Sequence, residues 1–227
     1  MPDTSQPNDL LDAILPHVAF DGWSALAFAA AADDLGLSKV EAEARCPNGA
    51  TDLAKAYHAR GDAQMIAAME AADLSGMRYS EKVAHAIWLR LASGDREVVR
   101  KGATLFALPQ HASEGAALIW GTADAIWNVL GETSDDVNWY TKRATLSAVY
   151  GAVVLYWLGD DSDGNVETQA FIARRIDNVM EIEKVKAKAR ENKLFTALTG
   201  PLAQMASGIR APQAAADDLP GKWDDKD

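Results

Sequence analysis

Apolar residues recur every three or four positions along most of this 227-residue chain, which is the spacing of one face of an α-helix. Segments in which apolar and polar residues alternate, as they do in a half-buried strand, are almost absent. Glycine and proline separate the apolar-periodic segments. The pattern predicts an all-α fold, with one or two helices over 51–74 and single helices over 10–20, 25–35, 39–46, 81–92, 96–108, 116–130, 133–158 and 167–180.

One predicted helix combines two different characters. Its start, from Thr133 to Arg143, is charged and holds the adjacent aromatic residues Trp139 and Tyr140, whereas the run from Ala144 to Leu158 is nearly all apolar. A helix that is apolar on every side is expected in the middle of a protein, and aromatic residues among charges are expected near the surface. The run is shorter than the roughly 20 residues that cross a bilayer. We therefore expect one helix that joins the core to a docking surface.

The C-terminal part changes character at Lys184. Basic residues dominate up to Lys193, and beyond them apolar residues recur at helical spacing. Such a helix can pack on the protein's own core or on a second copy, or it can lie in a membrane interface, and the sequence leaves both open. The candidate membrane contacts are Lys193, Leu194, Phe195, Leu198, Leu202, Met205 and Ile209.

Charge and composition exclude several classes of function. The formal net charge of −11 argues against a broad phosphate-binding surface, because nonspecific affinity for nucleic acids comes from lysine and arginine. We find no nucleophile elbow, no phosphate-binding glycine loop and no pair of Glu-x-x-His motifs for a di-iron site. The four histidines are scattered along the chain. The sequence therefore predicts a protein that is not an enzyme and holds no metal or catalytic cofactor.

The N-terminal part resembles the helix-turn-helix of TetR-type regulators. The similarity lies in the segment L-L-D-A-I-L-P-H-V-A-F-D-G-W-S, which is followed by A-A-A-A-D-D-L-G-L-S. The expected recognition helix, residues 39–45, carries Glu41 and Glu43, which would repel DNA phosphates. This resemblance implies a TetR-like helical bundle whose helix-turn-helix is degenerate.

The second half is similar to the ninth Coq protein family of ubiquinone biosynthesis. The resembling residues are Leu108-Pro109, Ala125-Ile126-Trp127 with Gly131, the block from Thr133 to Arg143, Ala144, Leu146, Tyr150, Thr168, Phe171, Arg174-Arg175-Ile176 and Met180. The resemblance implies a non-catalytic accessory protein with a TetR-like fold. Such a protein binds a lipid or an isoprenoid quinone intermediate as its ligand and presents it to the di-iron demethoxyubiquinone hydroxylase.

The same resemblance implies roles for particular positions. The hydroxylase would dock on Asp136, Asn138, Trp139, Tyr140 and Arg143, and the C-terminal amphipathic helix would meet membrane lipids. A homodimer is expected by analogy with TetR-like folds. The lipid would lie among large apolar residues on the helices around the central one, and the candidates are Trp88, Leu91, Phe106, Leu118, Trp120, Trp127 and Tyr150. The alternative for each is an ordinary core position.

These observations divide the chain into four parts and suggest a location. We predict a degenerate helix-turn-helix region over 1–50, a lipid-binding helical domain over 51–183, a basic amphipathic helix over 184–211 and a disordered acidic tail over 212–227. The acidic first residues resemble no targeting signal, so we expect a bacterial cytoplasmic protein peripherally associated with the inner membrane. The alternative function is a TetR-type transcriptional regulator with a small-molecule pocket. An enzyme that acts without a partner is the weakest hypothesis.

Overall fold

The computed structural model describes residues 6–191 and 210–212, and the regular structure within them is helical throughout. The prediction of an all-α fold is therefore confirmed for this part of the chain. The α-helices are α1 (Gln6–Asp21), α2 (Ala25–Asp34), α3 (Lys39–Arg45), α4 (Ala50–Ala71), α5 (Tyr79–Ala92), α6 (Arg96–Phe106), α7 (Ala112–Val129), α8 (Val137–Leu158) and α9 (Val166–Glu191).

The helices enclose two apolar clusters that meet along α4 and α6. The first cluster, between α1, α2, α3 and the start of α4, is centred on Leu10, Ile14 and Leu53. The second, between α4, α5, α7, α8 and α9, is centred on Ile87 and Val153. Burying each such side chain stabilises the fold by roughly 1.5–3 kcal/mol. The two clusters hold the helices together, and the boundary between the clusters is the place where a cavity can lie.

The turn between α2 and α3 is specified by local sequence. Gly36 adopts a positive φ of 66°, which glycine reaches without steric cost, and Ser38 caps the start of α3. The hydroxyl of Ser38 accepts from the backbone N–H of Glu41, and the Glu41 carboxylate accepts from the backbone N–H of Ser38. This capping box satisfies two backbone donors that the helix start would otherwise leave unpaired.

Helix α8 corrects the expectation of a helix that is buried on every side. Leu146 and Val153 are buried, but Ala148 and Ala152 are exposed, and Leu155 is 69% exposed. The exposed positions lie three or four residues apart, so they form one outer face. Alanine loses little when it faces water, so an outer face made mainly of alanine can lie at the surface.

The end of the chain lies partly outside the described residues. Helix α9 continues without a break from Val166 to Glu191, so the predicted domain boundary between 183 and 184 falls within one helix. The candidate membrane contacts between Lys193 and Ile209 lie outside the described residues, as does the predicted acidic tail beyond Pro212. Within the described residues, no helix is both long enough and apolar enough to cross a bilayer.

A buried arginine joins three of the helices. The Arg90 side chain on α5 is 6% exposed, and its Nε donates to the Asp62 carboxylate on α4 at 2.6 Å. Its Nη2 donates to the carbonyl of His58, also on α4, at 3.0 Å. The same Asp62 oxygen accepts from the Thr122 hydroxyl on α7 at 2.8 Å. The neighbouring Gly61 has its backbone against the guanidinium, and a Cβ there would lie only 2.4 Å from Nη1.

We predict opposite effects for two glycine-to-alanine substitutions in helices. Gly61→Ala should lower the free energy of unfolding by about 1–2 kcal/mol, because the clash with the fixed Arg90 outweighs the gain in helix propensity. Gly121→Ala, on α7, should raise it by about 0.5–1 kcal/mol, because open space surrounds that position. Urea denaturation measures both. A stabilising Gly61→Ala would show that Arg90 can move away at little cost.

Candidate functional site

A cavity of about 450 Å³ lies where the two apolar clusters meet. Helices α4 to α8 supply nearly all of its wall, and most of the lining is apolar. The lining residues are Trp23, Ala54, Tyr57, His58, Arg90, Leu91, Val98, Val99, Gly102, Ala103, Phe106, Ala107, Ala112, Gly115, Ala116, Leu118, Ile119, Tyr150, Gly151, Val154, Leu155 and Trp157. The many glycines and alanines leave the space that larger side chains would fill. This volume is within the usual range for small-molecule pockets.

The structure places five of the seven predicted lipid contacts in the walls of two cavities. Leu91, Phe106, Leu118 and Tyr150 all lie in the cavity wall. Trp127 instead lines a second cavity of about 320 Å³ between α5, α7, α8 and α9, where its ring stacks on Tyr79.

The remaining two predicted contacts, Trp88 and Trp120, line neither of these cavities. Trp88 packs half-buried on the second apolar cluster, and the Trp120 ring lies 6.1 Å from that of Trp139. Helical spacing shows which residues share a face. It does not show whether that face points toward a cavity or toward a neighbouring helix.

Sequence reasoning missed several lining residues. Val154 and Trp157 follow Tyr150 at intervals of four and seven, so helical spacing from Tyr150 could have found them. Trp23 lies between α1 and α2, and its indole N–H donates to the carbonyl of Val98 at 3.3 Å. No local pattern indicates that contact, because the two residues are far apart in the chain.

Part of the cavity wall is polar. His58 on α4 lies beside Thr122 on α7, with 2.8 Å between its Nε2 and the threonine hydroxyl. Burial, together with the nearby charge of Arg90, lowers the pKa of His58 to about 4, so its ring is neutral at physiological pH. Tyr150 is also buried at the wall, and burial raises the pKa of its hydroxyl. The polar wall is therefore uncharged except for Arg90, whose charge Asp62 balances.

The predicted docking residues form an ordered surface at the start of α8. We call Asp136, Asn138, Trp139 and Tyr140 the docking surface. The Asp136 carboxylate caps the helix by accepting from the backbone N–H of Asn138 at 2.8 Å. The Trp139 and Tyr140 rings meet edge to face, with centroids 4.8 Å apart, and both residues are half-buried. The four residues thus lie together and remain partly accessible.

Arg143 does not lie on this surface, which corrects its predicted role as a contact residue. It is 1% exposed, and the Trp139 ring covers its guanidinium at 3.9 Å. Its Nε donates to Asp124 on α7 at 2.5 Å, and its Nη2 donates to Asn128 at 3.1 Å. Helical spacing puts Arg143 on the same face as Trp139, but it does not show that this face packs against α7 at Arg143. Arg143 therefore packs against the Trp139 ring and helps to hold that ring in position.

Glu132 anchors the loop that leads into α8. Its side chain is 7% exposed, and its Oε1 accepts from Lys142 at 2.7 Å and from the Ser134 hydroxyl at 2.7 Å. Burial alone would raise its pKa, but the hydrogen bonds from Lys142 and Ser134 outweigh burial and lower it to about 2. The structure thus reveals an anchoring carboxylate that the sequence analysis did not single out.

A short C-terminal segment touches the same region. The Tyr140 hydroxyl donates to the carbonyl of Arg210 at 3.1 Å, and the backbone N–H of Ala211 donates to the carbonyl of Asp135 at 2.8 Å. The Arg210 guanidinium also lies 3.7 Å from the Asp135 carboxylate. Residues 210–212 therefore border the docking surface on the side of Tyr140.

Helix α3 keeps the acidic character that the sequence indicates. Glu41 is held by Ser38 in the capping box, and Glu43 lies 3.6 Å from Lys39. Val40 is 76% exposed on the same short helix. In the described part of the chain, no group of three or more histidine, cysteine, aspartate or glutamate side chains is arranged to hold a metal ion.

Comparison with known proteins relates the chain to one family. Residues 112–183 match the model of the COQ9 family. The chain is 27% identical over 180 residues to the mitochondrial ubiquinone biosynthesis protein COQ9 of Drosophila melanogaster. This alignment covers 77% of this chain and 55% of the Drosophila protein. It is 28% identical over 182 residues to human COQ9 (76% and 57% covered) and 30% identical over 180 residues to COQ9-A of Xenopus laevis (75% and 56%). The predicted resemblance is therefore confirmed, and the matches span little more than half of each relative.

The fold comparison confirms the TetR-like architecture. The crystal structure of a TetR transcriptional regulator from Nitrosomonas europaea superposes with a TM-score of 0.63 and 19% sequence identity. The match covers 76% of this chain and 96% of the regulator. At this identity the likeness describes the fold, and function has to be argued from the site.

The predicted location is wrong. The relatives from fly, rat and human are all named as mitochondrial proteins, which conflicts with a bacterial cytoplasmic protein at the inner membrane. That prediction rested on the character of the first residues. They cannot support it, since the matched region is only part of each relative.

We predict that Glu132 makes stability depend on acid pH. Its folded-state pKa of about 2 lies below the ordinary value, so its stabilisation is present above about pH 4.5 and is lost as the pH falls toward 2. After allowance for screening by nearby water, the loss should be about 1–2 kcal/mol. Glu132→Gln should remove this part of the pH dependence. Urea denaturation between pH 2 and 6 tests it, and identical slopes for the variant and the wild type would contradict it.

Proposed function

From the kinship with COQ9 proteins, we propose that this chain is a non-catalytic lipid-binding accessory protein of ubiquinone biosynthesis. It would take up an isoprenoid quinone intermediate and present it to the demethoxyubiquinone hydroxylase. Its contribution would be solubilisation and positioning, and the chemistry would belong to the hydroxylase. Peripheral contact with a membrane and a homodimer are further parts of this proposal.

The cavity between α4 and α8 is the observation that carries the proposal. Its wall is largely aliphatic and aromatic, and small residues such as Gly102, Ala103 and Gly151 keep it open. Each CH₂ group of an isoprenoid tail gains roughly 0.8 kcal/mol on leaving water. A tail of a few prenyl units would therefore bind through apolar contact alone, and the polar wall would remain available to the head group.

The docking surface supports the second half of the proposal. Trp139 and Tyr140 are held by each other and by the buried Arg143, so little conformational freedom remains to be lost on binding. Rigid aromatic residues that are partly exposed are common at the energetic centres of protein interfaces. Asp136 and Asn138 beside them supply polar groups that can set the orientation of a partner.

The alternative of a TetR-type regulator has weaker support. Its fold matches, but α3 presents Glu41 and Glu43 where DNA phosphates would lie. We expect no shift of DNA fragments at low salt. Sequence-selective binding that weakens with salt would favour the regulator.

We predict that the purified protein carries lipid and that filling the cavity removes it. Gly151→Leu places a branched side chain where α8 faces the cavity, so it should reduce the lipid seen by native mass spectrometry at least severalfold. Ala152→Leu is the matched control, because it adds a leucine at the next position of α8, which is exposed. Equal lipid content in both variants would contradict the assignment of the cavity. A wild-type protein that binds neither copurified nor added prenyl quinone would contradict the proposed function.

We also predict that Trp139→Ala weakens binding to the di-iron hydroxylase by about tenfold or more, as is typical of an aromatic residue at the centre of an interface. Calorimetric titration against the purified hydroxylase measures this. Thr141→Ala is the control, since Thr141 is an exposed neighbour outside the docking surface. Circular dichroism establishes that both variants are folded, because Trp139 also covers Arg143. Unchanged affinity of a folded Trp139→Ala protein would place the interface elsewhere.

A further inference from the structure

The polar wall of the cavity holds a balanced pair of charges. Arg90 lines the cavity, and its guanidinium is bound by the Asp62 carboxylate at 2.6 Å, with side-chain exposures of 6% and 17%. Asp62 accepts a further hydrogen bond from Thr122. His58, in the same wall, is neutral. The wall therefore offers polar atoms without net charge.

The balanced charges of Arg90 and Asp62 determine which head groups can enter the cavity at a low cost in free energy. A carboxylate or phosphate in the cavity would lose its hydration, and Asp62 already provides the counter-charge of Arg90. The anion would have to displace Asp62, which Thr122 and the packing of α4 hold in place. A neutral head group carries no such penalty, because it needs only hydrogen bonds.

A hydrogen-bond donor remains in the wall for such a head group. The Tyr57 hydroxyl accepts from the backbone N–H of Asp95 at 2.8 Å, and its own hydrogen has no acceptor among the described residues. A phenolic hydroxyl can donate to a carbonyl or methoxy oxygen. Tyr57 and Arg90 both line the cavity, so the donor and the balanced charge face the same space.

We propose that Asp62, by neutralising Arg90, and Tyr57, by donating a hydrogen bond, make this wall favour the uncharged ring of the proposed quinone ligand over an ionised lipid head group. The proposal rests on the proposed function, because it assumes that the cavity takes up an amphiphile. It adds the residues that discriminate between head groups. Tyr57 is the hydrogen-bond donor to the ring oxygen, and Asp62 acts through Arg90.

The test compares two amphiphiles on the delipidated full chain. One is a dimethoxybenzoquinone with a decyl tail, and the other is myristate. Quenching of tryptophan fluorescence reports the quinone, since Trp23 and Trp157 line the cavity, and displacement of the quinone reports myristate. We expect the wild type to bind the quinone at least about tenfold more tightly than myristate.

Two variants separate the contribution of Asp62 from that of Tyr57. Asp62→Asn should strengthen myristate binding by about tenfold, because Arg90 then lacks a counter-charge. Tyr57→Phe should weaken quinone binding by about threefold to tenfold and leave myristate unchanged. Asp12→Asn is the matched control for the first variant, because it breaks an ion pair between two residues, Asp12 and Arg60, that do not line the cavity, and it should change neither affinity.

Equal wild-type affinities for quinone and myristate would overturn the head-group preference and leave the lipid-binding function standing. Binding of neither probe would overturn both. A folded Asp62→Asn protein without increased myristate affinity would overturn the role of Asp62. If Asp62→Asn does not fold, the ratio of the two affinities in Tyr57→Phe decides, and an unchanged ratio would overturn the proposal.

Discussion

The buried ion pair between Arg90 and Asp62 is the constraint on which the arrangement of the central helices depends. An arginine with 6% exposure needs a balancing charge and hydrogen-bond acceptors, and α4 provides them through Asp62 and the carbonyl of His58. Because Thr122 donates to the same carboxylate, α7 is fixed to α4 and α5 at the same point. The pair contributes less to stability than its Coulomb attraction suggests, since both groups lose hydration. Its main effect is to specify how three helices meet.

A second buried arginine applies the same principle two residues further along α7. Arg143 on α8 is bound by Asp124, which lies only two residues from Thr122 on α7. Helix α7 therefore carries the anchors for both the cavity wall and the docking surface. The two anchors point in different directions, because residues two positions apart on an α-helix are rotated by roughly 200° about the helix axis. This explains how one helix can support two separate candidate sites.

Much of the architecture could be predicted from the sequence, and the limits have physical causes. The bounds of α2 and α3 were predictable because the glycine turn and the Ser38 capping box between them depend on only a few neighbouring residues. Helical periodicity also identified α8, but it predicted burial on all sides, because it cannot show whether an alanine face meets a neighbour or water. The pairing of Arg90 with Asp62 joins residues 28 positions apart, and no local pattern indicates such a contact. Arg143 was placed on the surface for the same reason, since its partner Asp124 belongs to another helix.

Helix α8 connects the two regions physically. From Trp139 at the docking surface to Tyr150 at the cavity the helix rises by about 16 Å, which is a short span for a continuous hydrogen-bonded rod. Tyr150 is packed against the cavity, while Arg143 ties the other end to α7, so a ligand that displaced Tyr150 would shift α8 against its anchor. Any such shift would change the support beneath Trp139. By thermodynamic linkage, a ligand that strengthened docking would itself be held more tightly by the docked protein, and by the same factor.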